Sequence, residues 1–122
     1  MTRLRPLLPA LAVAAILLAG CAAQLRTAPA PVNACDEALA SGRLVASAQS
    51  GLAIADSTGH VTEVLWPFGY TARQEAAGLA LLDADGRVVA HQGDVIELGG
   101  GLGANNVWAA CAGSVRVVPA QG

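Results

Sequence analysis

The chain contains no lysine. Its seven cations are all arginine, set against nine Asp and Glu for a net charge of -2. Aromatic residues are equally scarce, with two Trp, one Tyr and one Phe among 122 residues. Charged residues make up 13% of the chain and hydrophobic residues 54%, yet no apolar run outside residues 7–20 comes near the ~20 residues a membrane span needs. These shortages exclude a polytopic membrane protein, a disordered polyampholyte and, at this length, a multidomain enzyme. Losing Arg3 and Arg5 with the first twenty residues would take the net charge two units lower, to -4. No basic patch remains, so nucleic acid is not an expected partner.

What is present begins with an export signal. Arg3 and Arg5 form a short positive region, an apolar stretch runs from about Leu7 to Leu18, and small residues follow. The stretch is too short for a span, and Pro6 and Pro9 disfavour one long helix. Leu18-Ala19-Gly20-Cys21 resembles the lipobox of bacterial lipoproteins at every position. The resemblance implies a signal peptide over 1–20 and lipidation of the Cys21 thiol, so that a covalent lipid rather than a bound cofactor attaches the chain to the membrane. Two or more acyl chains anchor stably where one is marginal. It also implies a cell-membrane or outer-membrane location, with the domain on the extracytoplasmic side. Ala22 follows Cys21 where an inner-membrane retention signal would place Asp, which favours the outer membrane in a cell with two.

With Cys21 assigned to lipid, Cys35 and Cys111 remain, 76 positions apart. In an oxidising compartment the simplest pairing is a disulfide. A loop this long is worth up to about 4.5 kcal/mol in the chain-entropy account. Only His60 and His91 could complete a metal set, which is a poor zinc pattern, and no metal is expected.

Residues 21–34 are rich in Ala and Pro and read as an extended tether, with the folded domain over 35–119. A short helix is expected through Cys35-Asp36-Glu37-Ala38-Leu39-Ala40, capped by Asn33 or Asp36 and ended by Gly42. Beyond it, short apolar runs alternate with Gly-containing turns about every ten residues, the spacing of an all-β protein. Strands are expected at Arg43–Ala48, Leu52–Asp56, Val61–Trp66, Leu79–Asp83, Arg87–His91, Val95–Leu98 and Val115–Val118. Asp83-Ala84-Asp85-Gly86 is a tight hairpin signal rather than a calcium loop, because the later acidic ligands are missing. Gly99-Gly100-Gly101-Leu102-Gly103 lacks the P-loop Lys-Ser/Thr and reads as a flexible or closely approaching loop. Strands this short leave fewest exposed edges in a small closed or partly open antiparallel barrel of the OB type, with a sandwich as second choice.

The densest feature is Trp66-Pro67-Phe68-Gly69-Tyr70-Thr71-Ala72-Arg73, which holds three of the four aromatics. Trp66 and Tyr70 could stack on a sugar ring or peptide side chain, with Arg73 supplying charge. Alternatively, Trp66 and Phe68 fill a core short of other large residues, and Tyr70 and Arg73 form the exposed pair. Together with L-L-D-A-D-G-R-V-V-A and G-D-V-I-E-L-G-G-G, the W-P-x-G-Y-x-A-R run resembles a family of small uncharacterised exported bacterial proteins, many of them lipoproteins. That resemblance implies a compact β domain and transfers no activity.

Catalytic signals are thin. No serine lies in a nucleophile motif, and a His91–Asp94 pair around a corner is the one acid–base candidate. The expectation is therefore a non-catalytic envelope lipoprotein, a binding or accessory module for an envelope protein or glycan. The alternatives are an assembly factor, docking through the Tyr70–Arg73 loop or a free strand edge, and a small hydrolase using His91 and Asp94.

Overall fold

Alternating burial along one strand shows how the barrel is built. In Val95–Leu102, Ile96, Leu98 and Gly100 are buried while the residues between them are half-exposed, as the two-residue period of a strand requires. The computed structural model describes residues 24–119. The expected signal peptide (1–20), Cys21 and the first residues of the expected tether lie outside them.

The described residues form ten strands: β1 (Ala38–Ser47), β2 (Gly51–Ala55), β3 (Val61–Thr62), β4 (Val64–Leu65), β5 (Thr71–Glu75), β6 (Gly78–Leu82), β7 (Val88–His91), β8 (Val95–Leu102), β9 (Trp108–Ala110) and β10 (Arg116–Val117). The larger sheet runs β3-β2-β1-β8-β9-β4, with β10 also paired to β8. Its two outer strands, β3 and β4, are separated in sequence only by Glu63. The sheet therefore curls until its edges meet in one stretch of chain, a nearly closed barrel that hides the edges an open sheet exposes. Every strand pairing in it is antiparallel except that of β4 with β9, which is parallel with Val64 opposite Trp108, and a further parallel bridge joins Thr27 to Trp66. A second sheet, β5-β6-β7, is wholly antiparallel. Leu44, Leu52, Ile54, Val64, Ile96 and Leu98 of the first sheet share one core with Ala72, Leu79, Leu81 and Ala90 of the second. Trp66, Tyr70 and Trp108 belong to the same core.

Cys35 and Cys111 form a disulfide with their Cα atoms 5.9 Å apart. It ties the segment before β1 to the one after β9.

Three expectations need correction. The helix over 35–40 does not form: Ala38, Leu39 and Ala40 extend β1, pairing with Gly100, Gly99 and Leu98. Ala-rich helix propensity is weak beside a run of ladder hydrogen bonds. The triple glycine is strand rather than loop, paired with β1 on one side and β9 on the other, while the close approach expected of it is present. A Cβ on Gly99 would lie 3.2 Å from that of Ser114, one on Gly100 would meet the Ala109 carbonyl and the Trp108 indole, and one on Gly101 would meet the Asp36 carboxylate. Finally, Leu25–Ala28, read as tether, lie against the barrel. Arg26 N–H donates to the Ser50 carbonyl (3.0 Å), Trp66 N–H to the Arg26 carbonyl (2.9 Å) and Ala28 N–H to the Trp66 carbonyl (2.8 Å). Leu25 packs on the core and Ala28 is buried. Prolines 29 and 31 follow, where the chain leaves the ladder.

Candidate functional site

Trp66, Tyr70 and Arg73 do not converge on a common surface. Trp66 is fully buried, its indole Nε1 donating to the Leu52 carbonyl at 2.9 Å. Tyr70 is also buried, contrary to its expected exposure, and its hydroxyl accepts from Gly113 N–H at 3.1 Å. That bond pins the turn after the disulfide to the core. Arg73 lies on the outer face of β5, where Nη2 meets Glu75 Oε2 at 2.7 Å and Nε meets the same oxygen at 3.2 Å. No stacking platform of Trp66 and Tyr70 is therefore presented to solvent. The exposed aromatic is Phe68, at 48%.

Phe68 borders an apolar groove of about 500 Å³. The groove is lined by Pro31 and Val32, by Trp66 and Phe68, by Ala110 of β9 and by the Cys35–Cys111 bridge, with Asp36 the one charged residue in its lining. Val32 is 71% exposed. The groove exists because the N-terminal run leaves the barrel after Ala28 and is drawn back by the disulfide at Cys35. Its size falls within the range typical of small-ligand sites, about 300–1,000 Å³. Sequence reasoning missed it because its far side is the stretch read as tether. Val32, the one bulky residue in the Ala/Pro run beyond the docked residues, was the available signal.

His91 lies on the same outer face as Arg73. Its Nε2 is 3.6 Å from Glu75 Oε1 and its Nδ1 is 3.9 Å from Asp94 Oδ2. The closer contact within the corner is from the His91 backbone N–H to Asp94 Oδ2, at 2.8 Å. Asp94 thus holds the turn, and the imidazole faces two carboxylates rather than a hydroxyl or thiol.

A polar cluster unforeseen in the sequence joins the barrel edges. Ser50 is the one polar side chain fully buried among the described residues. Its hydroxyl donates to Glu63 Oε1 (2.7 Å) and accepts from Val64 N–H (3.0 Å). The Ser47 hydroxyl donates to the same carboxylate oxygen at 2.6 Å. Burial pushes the Glu63 carboxyl upward, but the hydrogen bonds from Ser47 and Ser50, with the charge of Arg26, outweigh it and hold the carboxyl below its ordinary value. The cluster fastens the seam between β3 and β4, with the Ser50 hydroxyl fully buried behind it.

No metal-binding group of three or more His, Cys, Asp or Glu occurs among the described residues, and none of their helices is long and apolar enough to cross a membrane. The chain matches no family model, and neither curated proteins nor solved structures yield a match.

Proposed function

We propose that the protein is a lipid-anchored, non-catalytic binding module of the bacterial cell envelope, and that its groove holds a small apolar molecule or the apolar part of a larger one. One observation carries the binding half of this reading. The groove is of ligand size and largely apolar, and it leaves Val32 71% and Phe68 48% exposed where burial would favour them by about 1.5–3 kcal/mol each. The anchoring half is supported by Leu18-Ala19-Gly20-Cys21. The protein would then reside at the outer or cytoplasmic membrane, facing away from the cytoplasm.

The test joins both halves. An apolar fluorescent dye titrated into the protein should bind, and Phe68→Ser should weaken it by about tenfold, the equivalent of 1.4 kcal/mol. Thermal unfolding should change little, because Phe68 is outside the buried core cluster. Unchanged dye affinity in Phe68→Ser would remove the groove as the site. Separately, Cys21→Ala should move the chain from the membrane fraction to the soluble one.

A second reading, docking of another envelope protein, is supported by β5, which among the described residues pairs with β6 alone and leaves its other side unpaired. The Arg73–Glu75 pair on that strand would select a partner of complementary charge. Hydrolysis is not proposed, since His91 faces carboxylates alone.

A further inference from the structure

We infer that the barrel rests directly on the lipid headgroups through its β1–β2 turn, with no spacer between domain and membrane. This inference rests on lipidation of Cys21. The docked N-terminal run supplies the geometry. Arg26 N–H is bonded to the Ser50 carbonyl at 3.0 Å, and a Cβ on Gly51 would collide with the Gln24 carbonyl. Gln24 therefore lies beside the turn Ala48-Gln49-Ser50. Only Ala22 and Ala23 separate Gln24 from Cys21. At 3.8 Å per Cα step, Cys21 and Gln24 stand at most about 11 Å apart. A headgroup layer is about 5–8 Å thick on each side of the hydrocarbon. A lipid thioether at its base leaves almost no clearance, so Gln24 and the adjoining turn lie at the headgroup surface.

The chemistry of this end suits that position. Ala48 and Gln49 are exposed and uncharged. Arg26, also exposed and lying near the Glu63 carboxylate, brings a cation to the headgroup level, where anionic lipids attract basic side chains. The opposite end of β2 carries the Asp56–His60 turn, five strand residues or about 17 Å away. Ala28, on the groove lining, is four residues from Gln24 along an extended run, about 13 Å. The groove thus opens within reach of the lipid surface, where apolar ligands are concentrated.

Full-length lipidated protein in phosphatidylethanolamine/phosphatidylglycerol vesicles, carrying a headgroup-attached quencher, provides the test. With Cys21 acylated and Cys35–Cys111 closed, a single introduced cysteine is the free thiol for a fluorophore. Gln49→Cys should be quenched several-fold more strongly than Ser57→Cys. A twelve-residue Gly/Ser insertion between Ala22 and Ala23 should bring position 49 down towards the level of position 57 while the protein still co-sediments with vesicles. Equal quenching at both positions in vesicle-bound protein overturns the orientation and leaves the anchor standing. Wild-type protein that fails to co-sediment overturns the anchor and the orientation with it.

Discussion

Glu63 holds more of the barrel together than its single charge suggests. Its carboxylate takes one serine hydroxyl from the end of β1 and one from the β1–β2 turn, while its carbonyl accepts from Trp108 N–H at 2.9 Å on the far side of the seam. Lying between the edge strands β3 and β4, the residue therefore ties the β1–β2 end of the sheet to β9. Because its carboxyl titrates below the ordinary value of 4.5 in the fold, the unfolded chain takes up the proton first as pH falls. The stabilisation is complete above that value and is lost as pH descends through the lower, folded pKa. Glu63→Gln should lower stability at pH 7 by about 1–3 kcal/mol and flatten the acid limb of the stability curve. Urea unfolding of both proteins between pH 7 and pH 3 checks this, and an unaltered acid limb would assign the pH dependence elsewhere. Tyr70 is a simpler case: its ring is core and its hydroxyl is a peg for Gly113.

At the scale of elements, legibility in the sequence followed the strength of the local pattern. Turns announced themselves: Gly86 adopts φ +83°, and Asp83 Oδ1 accepts from the N–H groups of Asp85 and Arg87. Leu52–Ile54 and Leu79–Leu82, buried throughout, were equally plain as apolar runs. β5 was hidden because Ala72 is the one buried side chain in Thr-Ala-Arg-Gln-Glu. β9 was hidden because three residues carry no period. The first half of β1 was disguised as a helix, and Gly99–Gly101 as a loop, since the glycines suggested close approach but only tertiary pairing reveals the ladder they join. The site was less legible than the fold. Trp66 and Phe68 alternate with Pro67, and nothing local states that the tryptophan turns inward and the phenylalanine outward. Gly100→Ala tests the strand assignment. At φ +149°, with the Ala109 carbonyl where the methyl would go, it should lower the melting temperature sharply, whereas Gly59→Ala, with open space around it, should cost far less despite its φ of +92°. Comparable melting of the two variants would mean that β8 and β9 do not approach as described.

For the molecule as a whole, the disulfide is the chief covalent restraint. Its loop, a sequence separation of 76, encloses β1 to β9. By the chain-entropy account, removal costs up to about 4.5 kcal/mol, comparable with the entire net stability of many small domains. Cys35→Ala/Cys111→Ala should unfold at markedly lower denaturant concentration than the oxidised protein, and reduction of the wild-type chain should reproduce the loss. Coincident unfolding curves would show that the ladder pairing of β1 with β8 suffices.

The staple and the docked run also set how the protein meets mechanical load. Tension applied at the N-terminus first acts on the three backbone hydrogen bonds of Arg26, Ala28 and Trp66. Once those are peeled away, the pull runs through the freed stretch to Cys35 and passes through sulfur to Cys111. The ring of chain behind that bond never bears the force along its length, so such a pull can strip the leading edge while the barrel stays closed.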